Sequence, residues 1–261
     1  MKKAGNLVAP TSTTLQSRVM IYQPSRKPQY AVGEWQTTSY GRCKVTGRLG
    51  QRHADIVESI LFVAEDRRDM SDGGVELLVD PATLRRTLSD GQYSKSSLER
   101  LLNELRSATV EIVTPRMEAK GEKIIGGLID HVVPSSMTRR NPLTGGERNL
   151  WRVRLGVALV MLLECDLFLY YQPAPIARLR YGVSQAVVRH VLSHKNVPAG
   201  GWFLDTLLLA VYGGEVDRQK MADGRRRLKK DASGLAKLGI EITGDNRVLR
   251  GTVARQRGVL A

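Results

Sequence analysis

The sequence predicts an α+β chain of two small domains with one architecture, preceded by a flexible basic arm. Three observations carry that expectation. One order of elements (helix, short strand, Asp-led short helix, turn, longer helix, hairpin) is written twice along the 261 residues. The composition, 42 % hydrophobic and 25 % charged, is that of a chain that folds, so its net charge of +14 is not that of a disordered polycation. The charge is also segregated: residues 1–53 carry nine Lys/Arg against one acid, residues 54–200 nineteen against eighteen, and residues 201–261 twelve against seven. Basic ends on a near-neutral middle suit a polyanionic partner.

Residues 1–40 are rich in Ser, Thr, Gln, Pro and Gly with weak periodicity, and read as a mobile arm. Its Lys2, Lys3, Arg18, Arg26 and Lys27 face only Glu34, which predicts sequence-independent phosphate contacts. Residues 41–165 form the expected N-terminal domain. Ile56, Ile60 and Val63 recur at helical spacing in "QRHADIVESILFVAEDRRD". "VELLV" is a short strand, Asp80 offers an N-cap carboxylate, and Pro81 supplies the fixed φ of a first helical position. After the turn "SDGQYS", Ser96 and Glu99 make a capping-box spacing ahead of the stripe Leu98, Leu101, Leu102, Leu105. "ATVEIV" is a strand, and "KIIGGLIDHVV" with "NLWRVRL" makes a long hairpin whose loop holds Arg139 and Arg140.

Residues 166–261 repeat the order. "VSQAVVRHVLSHKN" is a helix, "GWFL" a strand, Asp205 a cap candidate, "TLLLAVYG" a short helix, and "GIEIT" with "RVLR" the closing hairpin. Between them lies "DRQKMADGRRRLKKDASGLAKL", with seven Lys/Arg against two Asp in its first fourteen positions. Projected as one helix, it places Met221, Leu228, Ala232, Leu235 and Leu238 on an apolar side. Gln219, Arg226, Lys229, Lys230, Ser233 and Lys237 fall on the opposite arc, with Arg225 and Arg227 flanking.

A short helix and a longer one across a turn, closed by a hairpin, describe a winged helix-turn-helix, in which the second helix enters the major groove and the wing lies along phosphates. The expected DNA contacts are therefore Gln219, Arg225, Arg226, Arg227, Lys229, Lys230, Ser233 and Lys237 on the second recognition helix, and Arg247 and Arg250 on its wing. Lys95, Ser96 and Arg100 on the first helix, with Arg139 and Arg140 on its wing, complete the set. Glu99 and Glu104 on the first helix would oppose phosphates, so that domain is expected to contribute less affinity.

The segments "GGWFLDTLLLAVYG" and "MADGRRRLKKDASGLAKLGIEIT", with "LERLLNELRSATVEI" and "LWRVRLGVALVMLLECDLFLYY" in the first half, resemble plasmid replication initiators of the Rep superfamily, most closely the iteron-binding RepC-type initiators of IncQ-like plasmids. The resemblance spans roughly residues 50–250. It implies two winged-helix domains on directly repeated double-stranded iterons, opening of adjacent DNA and recruitment of a host helicase or initiator proteins, with Arg225 to Lys237 and Arg247 holding DNA most firmly. The competing expectation is a winged-helix repressor or partition regulator on operator DNA. Two unlike domains on one chain favour the initiator acting as a monomer, because a repressor obtains its two heads by dimerising.

No catalytic residue, metal or cofactor is expected. "GRCKVTGR" lacks the spacing and the Lys-Ser/Thr of a phosphate-binding loop. His53, His131, His190 and His194 form no His-hydrophobic-His triplet of a nickase. His190 and His194 lie four apart, a zinc-compatible spacing without an evident third ligand, and are expected as one surface and one half-buried side chain. Tyr170, Tyr171, Trp151 and Trp202 read as packing residues. Cys43 and Cys165 form no disulfide framework, the longest apolar run is nine residues against the roughly 20 of a membrane span, and no secretory signal is evident, so a cytoplasmic location is expected.

Overall fold

A computed structural model describes residues 10–88, 93–140, 145–213 and 216–251. Residues 1–9 of the expected arm, with Lys2 and Lys3, lie outside these residues, but residues 10–40 are built into the molecule. It forms β1 (Ser12–Thr13), α1 (Thr14–Arg18) and β2 (Ala31–Thr38), and β2 pairs with β3 (Gly41–Gly47). The polar residues that resembled linker chemistry satisfy one another: Thr13 caps α1 at Gln16, whose side-chain oxygen accepts from the Thr13 amide in return. Val19, Ile21 and Tyr22 then enter the core. Three buried side chains after a capped turn are a means of packing that weak periodicity concealed.

The first unit runs through α2 (Gln51–Val63), β4 (Asp66–Asp69), β5 (Val75–Val79), α3 (Pro81–Leu88) and α4 (Lys95–Ser107). The helix read from "QRHADIV" stops at Val63, and its acidic tail is an edge strand. After α4 the chain makes β6 (Thr109–Val113), α5 (Pro115–Glu118) and β7 (Ile124–Gly126), which complete a separate sheet in the order β2-β3-β6-β7. The long hairpin follows as β8 (Ile129–Arg140) and β9 (Glu147–Leu155), so Arg139 and Arg140 belong to a strand rather than to its loop. Its sheet is ordered β4-β5-β9-β8.

The apolar α6 (Val157–Cys165), β10 (Phe168–Leu169) and α7 (Pro173–Ala177) lead into the second unit. That unit is α8 (Gly182–Leu192), β11 (Trp202–Phe203), α9 (Leu204–Tyr212), α10 (Arg218–Lys230), α11 (Ala232–Ala236), β12 (Ile240–Ile242) and β13 (Arg247–Arg250). Its sheet is ordered β11-β13-β12. In both units the strand just before the shorter helix (β5 before α3, β11 before α9) pairs with the second strand of the hairpin, which pairs with the first: β5-β9-β8 and β11-β13-β12 are one antiparallel arrangement, to which β4 adds an edge in the first unit. Each unit has its own core. Ile56, Leu84, Leu98, Leu101 and Leu105 meet in one; Val187, Leu204, Leu208, Leu228 and Val248 meet in the other.

The units are joined through α2 and α8 by a buried ionic network. The Arg189 guanidinium donates to both Glu58 oxygens (2.7 and 2.8 Å), to Asp55 Oδ1 (2.7 Å) and to Gln51 Oε1 (2.8 Å). Tyr171 donates to Glu58 (2.6 Å) and Tyr93 to Asp55 (2.7 Å), so each buried carboxylate is satisfied from two directions. Burial still holds the Glu58 carboxyl above the usual carboxylate range, with the Arg189 charge acting against it. The segment around Ser25 wedges against both helix starts. A Cβ at Gly50 would stand 2.5 Å from Ser25 O, and one at Gly182 2.6 Å from the Ser25 carbonyl carbon.

Candidate nucleic-acid interface

α10 starts where Asp217 Oδ1 accepts from the Lys220 amide (2.7 Å). It stops at Asp231, whose backbone leaves helical geometry (φ −94°, ψ 7°) and whose carboxylate accepts from the amides of Arg180 and Tyr181 (3.2 and 3.0 Å). The single long helix expected here is therefore two. The break turns Ala232, expected in the core, out to solvent. Gly224 takes its place beside Leu228: a Cβ there would lie 2.9 Å from Leu208 and from the Tyr212 hydroxyl, so this glycine lets α10 press onto α9.

Gln219, Arg226, Arg227, Lys229 and Lys230 are exposed on α10, and Ser233 and Lys237 continue the exposed surface beyond the break. Among the described residues, Lys229 and Lys230 pair with no carboxylate. Arg226 donates to Asp223 Oδ1 at 2.6 Å, and Arg227 approaches Asp223 Oδ2 at 3.9 Å. Arg225 is different. Its guanidinium makes a two-pronged pair with Asp205 (2.7 and 2.6 Å), tying α10 to α9 and holding the Asp205 carboxyl below its usual range. Asp205 is thus a tether and not the cap of α9, whose N-cap position is Phe203.

The two hairpin arginines of this unit also separate. Arg247 lies 4.1 Å over the exposed Phe203 ring, donates to Gly200 O (3.2 Å) and stays partly accessible beside Asp245. Arg250 instead donates to Val191 O and His194 O (2.8 and 2.7 Å) at the end of α8, and burial lowers its pKa. Val191 O also accepts from the His194 amide (3.2 Å), so Arg250 reinforces the last turn of the helix and turns away from a ligand.

In the first unit Ser94, not Ser96, caps α4, accepting from the Ser97 amide, so the Ser96–Glu99 box does not form. Lys95, Ser96 and Arg100 are exposed. The two carboxylates expected to oppose phosphates are engaged within the protein: Glu99 lies 3.9 Å from Lys95, and Glu104 accepts from Arg100 (2.7 Å) and meets His53 Nε2 (2.8 Å). His53 Nδ1 accepts from the Gly50 amide, so Nε2 carries the proton toward Glu104, and burial lowers the His53 pKa. Arg139 pairs with Glu65 (2.7 Å), and Arg140 donates to Gly145 O (3.2 Å). Asp80 caps α3 at the Ala82 amide as expected, and also takes a two-pronged bond from Arg148 (2.9 and 2.6 Å) that holds its carboxyl far below the usual range.

No protein-family model matches the sequence, and no curated protein matches it. The chain is similar to the crystal structure of RctB domains 2-3, with a TM-score of 0.48 and 12 % identity over 88 % of this chain and 84 % of that one.

His190 and His194 approach each other at 3.2 Å between their Nε2 atoms, but both are more enclosed than expected. His190 is buried, and its pKa is pushed down to about 4 by that burial and then by His194 and Arg18. Among the described residues, no group of three His, Cys, Asp or Glu is placed to hold a metal. Trp202 and Tyr171 are packed as expected, whereas Tyr170 is exposed. No helix among the described residues is long and apolar enough to cross a membrane. Two residues of the candidate surface escaped sequence reasoning. Phe203, hidden in the strand "GWFL", is exposed under Arg247. Asp223 stands four after Gln219 and three before Arg226, a helical spacing that marks it as a member of the same face.

Proposed function

We propose that this chain is a non-enzymatic replication initiator that binds double-stranded DNA sequence-specifically through two tandem winged helices, α4 with the β8–β9 wing and α10 with the β12–β13 wing. The observation that carries the reading is the sheet order formed twice over the same helix order, with a cationic face turned outward on the second long helix. In this reading α10 supplies most of the affinity through Arg226, Lys229 and Lys230. α4 supplies less, because its acids and bases neutralise each other. The buried α2–α8 contact fixes the spacing of the two helices, so a monomer carries both reading heads. The resemblance to iteron-binding initiators extends the proposal to direct repeats at an origin, opening of neighbouring DNA and recruitment of a host helicase or initiator.

The test is footprinting on the DNA flanking the gene, with the mass of the minimal complex measured by light scattering. Direct repeats of roughly 20 bp protected on one face, with one protein per repeat, support the initiator. A palindrome over a promoter, bound by two copies, would replace it with the regulator. Arg226→Ala with Lys230→Ala should weaken specific binding by at least about 1 kcal/mol per base-contacting side chain at unchanged thermal stability. Unchanged affinity would remove α10 from the interface.

A further inference from the structure

We infer that Asp223 is a specificity-determining residue, which orients Arg226 for base reading and lowers affinity for DNA of the wrong sequence. The inference rests on the DNA-binding reading above and concerns a residue which that reading does not use. Gln219, Asp223, Arg226 and Lys230 follow one another at helical intervals of four, three and four, so they form the midline of the face opposite the buried Gly224 and Leu228. A carboxylate therefore sits at the centre of a midline whose other charged side chains, Arg226 and Lys230, are cationic. There it opposes every phosphate that approaches, whatever the base sequence.

Its geometry gives it a second effect. Asp223 Oδ1 accepts from Arg226 Nη2 at 2.6 Å, while Oδ2 stands 3.9 Å from Arg227. The Arg226 side chain is 64 % exposed, so without this partner it would be a mobile point charge suited to any phosphate. Held at one nitrogen, the planar fork keeps its remaining N–H donors in a fixed orientation. Two such donors match guanine O6 and N7 in the major groove. Preorganised donors lose less freedom on meeting the right base and reach stray phosphates less readily. Negative charge and orientation thus act in the same direction, toward discrimination and away from bulk affinity.

The experiment compares wild type with Asp223→Ala, Asp223→Asn and Asp223→Glu on two duplexes: one selected by the wild-type protein from a random pool, and one unselected. Asp223→Ala should bind the selected duplex about tenfold more weakly and the unselected one equally or several-fold more tightly, with the lost preference concentrated at a guanine. Asp223→Asn removes the charge but keeps a carbonyl acceptor, so it should tighten unselected binding with a smaller loss on the selected duplex. Asp223→Glu should restore part of the discrimination. Parallel weakening on both duplexes with a lowered melting temperature would assign Asp223 a structural role and overturn the inference. So would wild-type discrimination in Asp223→Ala, which would leave the DNA-binding reading intact. A wild-type protein that bound both duplexes alike would instead overturn the reading itself.

Discussion

Replacing Arg189 should be among the most destabilising single changes in this chain. Its guanidinium makes four bonds of 2.7–2.8 Å to Asp55, Glu58 and Gln51, and these side chains are buried. Arg189→Met keeps most of the aliphatic volume but leaves two buried carboxylates with only hydroxyl and amide donors. Breaking one partner out of a buried ion pair costs about 3–5 kcal/mol, because the remaining charge is uncompensated. Against a total stability of about 5–15 kcal/mol that is a large share. The pH dependence follows from Glu58, whose carboxyl is already raised by burial despite Arg189. A carboxyl with a folded pKa above its unfolded value of about 4.3 binds protons preferentially in the native state, so stability falls as pH rises through that window. Loss of Arg189 widens the window, and the deficit of Arg189→Met should therefore shrink between pH 7 and pH 5. Adding Asp55→Asn and Glu58→Gln to the same chain should recover much of the loss, since no buried charge then remains in the trio. Urea unfolding of the three proteins at both pH values tests the argument. A deficit below about 1 kcal/mol, or one equal at both pH values, would show that these charges are not held as the ionic network requires.

Deletion through residue 40 should abolish cooperative unfolding rather than merely weaken DNA binding, since it removes Val19, Ile21 and Tyr22 from the core; a retained thermal transition would return the segment to the status of an arm. Gly182→Ala places a Cβ 2.6 Å from backbone at Ser25, and the forced shift should cost about 1–3 kcal/mol in denaturant unfolding; neutrality would show that this wedge gives way freely. Asp80→Asn weakens both the α3 cap and the Arg148 pair, and should cost about 1–3 kcal/mol at pH 7. Because the Asp80 carboxyl is depressed in the fold, its contribution is complete above the unfolded pKa of about 3.9 and is lost as pH falls below it, so wild type and variant should converge in acid; a constant gap would contradict the pairing.

What the sequence by itself determined is local. The Leu98, Leu101, Leu102, Leu105 stripe, the Asp80–Pro81 start and the alternation in "NLWRVRL" each express a period of 3.6 or 2 within a few residues, and helix, cap and strand formed there. The strands that pair as β5-β9-β8 and as β11-β13-β12 were legible in the same way, as short alternating or β-branched runs. Tertiary structure alone decided the fate of the charges. Arg225, Arg226 and Arg250 look alike in sequence, yet Arg225 is tethered to a carboxylate 20 residues away, Arg250 closes a helix 59 residues away, and Arg226 remains on the surface. The Arg189 network spans as many as 138 residues. An ion pair depends on which side chains the folded backbone brings within about 3 Å, and no periodicity encodes that distance. The same reason hid residues 10–40. Their polar composition suited a linker, and only the docking of Val19 and Ile21 into the core, with the wedge of Ser25 between Gly50 and Gly182, made them part of the fold.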